Sequence, residues 1–265
     1  MGDWGYILAA LIAAVVLPTL GWRWLFVVGV LPALLIFWIR RTVHEPAVWA
    51  NQDKTTSEGS DNPFRIIFDS AHRKRTLIAT ALTSAVMFAY WGLFTWLPAF
   101  LASPVEEGGA GMSIVKSAGW IIPMQVGAFF GYLSFGFIAD RLGRRPAFIL
   151  FLVAAALLVP VYGQLGASPW VLMAMGPLLG FFGHGYFSLF GVLLSELFPT
   201  RARATGQGFT YNTGRALSAF APFTIGALSS VGGIGSALAL TSAFFLAGAV
   251  LILFLPDTRG RPLED

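Results

Sequence analysis

The sequence predicts an all-α polytopic membrane protein, and three observations carry that reading. Of its 265 residues 56% are hydrophobic and only 11% charged, with 24 Phe and 9 Trp, and the mean hydropathy is +0.72. An ordinary soluble domain does not have this composition. Eight apolar runs meet or approach the roughly 20 residues that a spanning helix needs; they lie at about 5–20, 24–39, 76–102, 114–138, 146–164, 169–196, 205–228 and 234–256. The charged residues gather at the ends of these runs. A net charge of +4 and a pI near 9.7 therefore report membrane topology rather than nucleic-acid binding. The absence of cysteine excludes a disulfide framework, thiol catalysis and thiolate metal sites.

Taken in order, the first run starts almost at Met1 and has neither a basic start nor a small-residue cleavage site, so no removable signal peptide is read. The turn Leu20-Gly21-Trp22-Arg23-Trp24 places paired tryptophans where an interfacial belt would hold them. After the second run comes Arg40-Arg41, then a stretch from Asn51 to Asn62 that is rich in Ser, Thr, Asp and Gly. It has no hydrophobic period and reads as the one real linker. Phe64, Ile66, Ile67 and Phe68 before His72-Arg73-Lys74-Arg75 predict a short interfacial helix. The third run carries an aromatic stripe, Tyr90, Trp91 and Trp96, which either lines a cavity or packs against lipid. Between the fourth and fifth runs lies Gly136-Phe137-Ile138-Ala139-Asp140-Arg141-Leu142-Gly143-Arg144-Arg145. Its glycines permit a tight turn, and its arginines hold that turn on the cytoplasmic side.

Lys and Arg counts set the expected orientation. Arg40, Arg41, Lys54, Arg65, Arg73, Lys74 and Arg75 share the long loop; Arg141, Arg144, Arg145, Arg201, Arg203, Arg259 and Arg261 fall in alternate loops and the tail. On the opposite side only Arg23 is clearly placed, with Lys116 near an interface. The first group is expected to be cytoplasmic, and eight alternating spans then put both termini inside, as in an integral protein of a plasma (inner) membrane.

The ten-residue turn resembles the G-x-x-x-D-R-x-G-R-R/K loop signature of the major facilitator superfamily of secondary transporters. Gly21-Trp22-Arg23-Trp24-Leu25-Phe26, Leu31-Pro32 and Arg40-Arg41 resemble the link between that family's fifth and sixth helices. Glu196-Leu197-Phe198-Pro199-Thr200-Arg201-Ala202-Arg203 is similar to its E-x-x-P-x-x-x-R turn, and Pro256-Asp257-Thr258-Arg259-Gly260 to its P-E-T-K-G tail. The resemblance implies the last two helices of a first half at 1–48, an inter-half linker at 49–75, a complete six-helix second half at 76–256 and a cytoplasmic tail at 257–265. Four N-terminal helices of a parent would then be missing. Transport by alternating access, which needs both halves, is not expected of the chain alone; a homodimeric eight-helix carrier stays open as an alternative.

Arg215 lies ten residues into the seventh run, about 15 Å at ~1.5 Å per residue and near mid-bilayer. A guanidinium there costs at least roughly 2.5–3.5 kcal/mol, so it faces a polar cavity or a partner. Tyr211 and Asn212 share its helical face. Its planar, permanently charged fork suits a carboxylate. It is read either as the counter-charge of an anionic substrate or as a structural arginine paired with a helix end or an acid. His184, among Gly180, Gly183 and Gly185, either relays protons and bonds substrate or is satisfied by one carbonyl. Gln125, the only amide in its span, is a substrate contact or interhelical glue, and Tyr90 and Trp91 are candidate cavity lining. Asp140 with Arg141, Arg144 and Arg145, and Glu196 with Arg203, are expected to gate by the resemblance. No catalytic, dinucleotide or metal-ligand spacing is found, so no enzyme, cofactor or metal is expected. The Trp91-Gly92-Leu93-Phe94-Thr95-Trp96-Leu97-Pro98 segment, Gly214-Arg215 and the Arg259-Gly260-Arg261-Pro262-Leu263 tail look most like the sialate/lactate-type metabolite:proton symporters, with aromatic-acid symporters the close neighbour. That implies a small organic anion and a proton as partners, within the lipid bilayer. A sugar-type porter of neutral solutes and a non-transporting truncated scaffold are the rival readings.

Overall fold

A computed structural model describes residues 20–42, 62–164 and 168–257, with Ile12 and Val16. The expected first span, the linker up to residue 61 and the tail from residue 258 lie outside the described residues. The chain divides into two units, Met1–Ser60 and Asp61–Asp265.

In the first unit, α1 (Trp22–Thr42) carries Pro32 within its length. Gly21 precedes it at φ 82°, its N–H bonded to the Val16 carbonyl at 3.1 Å. Trp24, Phe26, Val27, Val30, Leu31, Ile36 and Trp38 are all exposed. A helix that is apolar around its circumference belongs in lipid or against other membrane helices.

The second unit opens with α2 (Pro63–Ile67). This is the expected short helix, docked to the bundle on one face, with Phe64 and Phe68 partly exposed on the other. Ile66 and Ile67 are buried, Thr76 Oγ1 donates to the Ile67 carbonyl at 2.6 Å, and Phe64 and Phe68 meet Phe209 edge-on. Asp69 turns the chain into the next helix, its Oδ1 accepting the N–H groups of Ala71 at 2.9 Å and His72 at 2.7 Å.

There follow α3 (Arg73–Ala102), α4 (Ile114–Leu142), α5 (Arg144–Gln164), α6 (Pro169–Gly185), α7 (Phe187–Ser195), α8 (Arg203–Ser218), α9 (Ala221–Gly232) and α10 (Ile234–Leu251). Among the described residues five helices are long and apolar enough to cross a membrane: Arg73–Ala102, Trp120–Leu142, Arg144–Gln164, Trp170–Ser195 and Ile234–Phe254. Two of the expected spans are discontinuous. The run at 169–196 becomes α6 and α7, its ladder interrupted at Tyr186, and the run at 205–228 becomes α8 and α9, separated by Ala219 and Phe220.

Small residues set how closely these helices approach. A Cβ on Gly127 or Gly131 of α4 would run into the carbonyls of Pro177 and Phe181 on α6, and one on Gly180 into the Met124 carbonyl. Backbone-to-backbone packing of this kind is the usual means of association where lipid supplies no hydrophobic drive. On the other side α10 packs against α3 and α5, with Phe245 and Thr241 fully buried and Phe88 stacked on Phe244 at 4.0 Å. The ten-residue turn is a single-residue junction. Gly143 sits at φ 100° between α4 and α5, and its N–H reaches the Ala139 carbonyl at 3.0 Å.

Candidate functional site

The second break is the more complete of the two. Pro222, in the first turn of α9, has no N–H to return to the Ser218 carbonyl, so the ladder cannot run through. The chain tightens instead, Ala219 N–H bonding Ala216 O at 3.2 Å and Phe220 N–H bonding Leu217 O at 3.3 Å. The indole N–H of Trp96 on α3 donates to the Pro222 carbonyl at 2.8 Å, and Gly226 leaves room for its ring. Trp96 is thus glue across the break.

Arg215 occupies the last turn of α8, just before this break. The helix end there carries partial negative charge, which favours a cation. The buried side of α8 is Gly206, Thr210, Gly214 and Ser218, with Gly214 pressed on Thr83 of α3. Arg215 and Asn212 therefore face outward and are exposed, with Tyr211 half-buried beside them. The expected shared face exists. Its amide is partly committed, because Asn212 Nδ2 donates to the Gly208 carbonyl at 2.8 Å. Arg215 makes no side-chain hydrogen bond or ion pair among the described residues.

The first break gathers aromatic rings. His184, 6% exposed, lies against Phe94 at 4.0 Å and Tyr90 at 5.1 Å between ring centroids, and Tyr132 on α4 at 6.5 Å. The Gly180 carbonyl, one turn back, faces the imidazole, as the reading of a histidine satisfied by one carbonyl expects, although Nδ1 makes no hydrogen bond of good geometry among the described residues, and nor does the hydroxyl of fully buried Tyr186. Trp91 is 42% exposed and meets Tyr90 edge-on at 5.4 Å. The structure thus brings together Tyr90, Trp91 and His184. Gln125 is exposed on α4, next to Met124 that packs under Gly180, and among the described residues no hydrogen bond joins it to either group. Tyr132 and Tyr186 were not singled out in the sequence, since a tyrosine among phenylalanines gives no separate signal there.

At the loop end of the bundle Arg144 holds Glu196 bidentately, Nε to Oε2 at 2.8 Å and Nη2 to Oε1 at 2.5 Å. Asp140 stands 3.9 Å from Arg144 with its side chain 75% exposed, a weak surface pair. Arg203 Nε donates to the Ser195 carbonyl at 3.2 Å. Glu196 thus takes a bidentate partner from the Gly143 turn, a contact between helices that the sequence did not single out. Arg145 is half-buried and Arg141 exposed. No group of three His, Asp or Glu that could hold a metal ion comes together among the described residues.

Comparison with known proteins agrees with this architecture. A family model described as "Major Facilitator Superfamily" matches residues 115–265. The chain is 34% identical to a "Putative metabolite transport protein" of Haemophilus influenzae, over 98% of its own length and 64% of the relative's. It is 32% identical to the "Cis,cis-muconate transport protein" of Acinetobacter baylyi, over 98% and 63%, and 27% identical to a sialic acid transporter of Escherichia coli, over 94% and 60%. The chain therefore spans 60–64% of the length of these relatives.

Proposed function

This chain belongs to the major facilitator superfamily, and from that premise we propose that it serves secondary transport of a small organic anion, with Arg215 as the fixed counter-charge. One observation carries the reading: a guanidinium exposed in the last turn of α8, just before the helix break, without an ion pair among the described residues. Such a group is costly in hydrocarbon unless an anion or a wet cavity meets it, and discontinuous helices are where transporters of this kind place their sites. Two relatives whose names specify muconate and sialic acid are carriers of carboxylates, which supports the same chemistry here. Tyr211 and Asn212 would flank the carboxylate, Tyr90, Trp91 and His184 would line the cavity deeper along α3, and Gln125 would contact substrate from α4.

In the same reading residues 1–48 supply the last two helices of a first half and residues 76–256 the second half, joined by the basic linker, with both termini cytoplasmic in an inner membrane. The ion pair of Arg144 and Glu196, with Asp140, Arg141, Arg145 and Arg203 around it, would close the cytoplasmic side. Proton coupling completes the proposal.

The test is ligand-dependent thermal stabilisation of the purified chain in nanodiscs, since a ligand that binds only the folded state raises its melting temperature. Lactate, sialate or an aromatic acid is expected to stabilise, and Arg215→Gln to abolish the effect. Stabilisation by hexoses alone, indifferent to Arg215→Gln, would overturn the anion reading in favour of a neutral-solute porter.

A further inference from the structure

Resting on that anion reading, we propose a second recognition site at the Tyr186 interruption, which selects acids carrying a hydroxyl at the end opposite their carboxylate. Nδ1 of His184 and the Tyr186 hydroxyl would hold that hydroxyl, between the rings of Tyr90, Phe94, Tyr132 and Phe187.

Two polar atoms carry the argument. His184 is 6% exposed and Tyr186 fully buried; Tyr186 Oη is unpartnered among the described residues, and His184 Nδ1 makes no hydrogen bond of good geometry there, with only the Gly180 carbonyl of its own helix beside the ring. Buried polar atoms in folded proteins are nearly always paired, and an exception calls for an explanation. A bound ligand group provides one, because such a group pairs both atoms only when it is present. The residues converge from three helices. Tyr90 and Phe94 come from α3 and Tyr132 from α4 onto the imidazole, while Phe187 touches both Tyr90 at 4.9 Å and Tyr186 at 4.6 Å. Tyr90, Phe94, Tyr132 and Phe187 are half-buried, so the cluster keeps one side at the surface of the unit.

The chemistry of the walls narrows the ligand. A hydroxyl both donates and accepts, and so can serve an imidazole nitrogen in either tautomer together with a phenol. Flat aromatic walls favour a flat, conjugated body. Every ring found against His184 is neutral, and a second carboxylate buried there would lose its hydration without a counter-charge.

Placement along α3 sets the length. Gly214, the neighbour of Arg215, packs on Thr83, and Tyr90 follows Thr83 by seven residues, which is two turns along the same stripe and about 10 Å at ~1.5 Å per residue. An elongated acid suits that separation better than a compact one.

Cinnamate and para-hydroxycinnamate differ only in the far hydroxyl, and their binding to the chain in nanodiscs is read by isothermal titration. The para-hydroxy acid is expected to bind about tenfold tighter. Tyr186→Phe, which removes one oxygen and keeps the ring, should erase that preference and leave cinnamate affinity unchanged; His184→Gln should reduce the preference as well. Arg215→Gln should weaken both acids alike. Equal binding of the two acids to the unaltered chain, or a preference that survives both substitutions, overturns the second site while the carboxylate reading stands on the Arg215→Gln result. Binding of neither acid overturns both.

Discussion

Arg144 and Glu196, fifty-two residues apart, are joined through both edges of the guanidinium at 2.8 Å and 2.5 Å. Their side chains are only 19% and 13% exposed, so the pair is shielded where the neighbouring Asp140 contact is not. Glu196→Gln is expected to cost about 1–3 kcal/mol, the penalty of leaving a shielded charge without its acceptor. Asp140→Asn should change stability by less than about 0.5 kcal/mol, as for a solvated pair. Denaturant unfolding of the two variants in detergent decides, and equal losses would mean that Arg144 depends on Asp140 just as much.

The turn between α4 and α5 rests on one left-handed residue. A Cβ on Gly143 would meet Pro146 at an ordinary 3.5 Å, so the cost of Gly143→Ala comes from its φ of 100° and is expected to be about 1–2 kcal/mol. Gly136→Ala, seven residues earlier in the same motif, meets nothing within 4 Å and should be neutral or stabilising by up to about 1 kcal/mol. Melting temperatures of the two variants should therefore move in opposite directions or differ clearly.

Close helix approach predicts a second glycine contrast. Gly180→Ala places its methyl against the Met124 carbonyl and should destabilise by about 1–3 kcal/mol through forced separation of α4 and α6. Gly208→Ala in α8 has open space around it and should raise stability by about 0.4–1 kcal/mol. Unfolding curves measured side by side check both signs.

Acid should weaken the junction before α3. The N–H of His72, first among the causes, holds the Asp69 carboxyl below its ordinary value of 3.8. A carboxylate with a lowered value contributes stability that is complete above the unfolded value and is lost as pH falls through the folded one. The melting-temperature gap between the unaltered chain and Asp69→Asn should therefore close below about pH 4. A gap that persists below that pH would contradict the assignment.

Much of this architecture is legible in the residues. Length and apolarity suffice for α3, α4, α5 and α10 because a bilayer demands uniform runs. The interruptions at Tyr186 and at Ala219–Phe220 are not, since both runs stay apolar through the break and Pro222 reads equally well as a helix start. Arg215 stands out because charge is rare inside such runs, and its side of the helix follows from the Gly206, Thr210, Gly214 and Ser218 stripe once packing is seen. The bond between Arg144 and Glu196 was not legible, because only the turn at Gly143 delivers Arg144 to that acid from another helix. Tyr132 gains meaning only when packing brings its ring to His184, and Tyr186 only when its buried hydroxyl is seen without a hydrogen-bond partner among the described residues.

The most direct measurement is the affinity of one radiolabelled carboxylate for the chain carrying Arg215, Arg215→Lys or Arg215→Gln. A substrate met by the planar guanidinium should bind at least about tenfold more weakly to Arg215→Gln, with Arg215→Lys in between because a point charge keeps attraction without the fork. Equal affinity across all three would contradict the account.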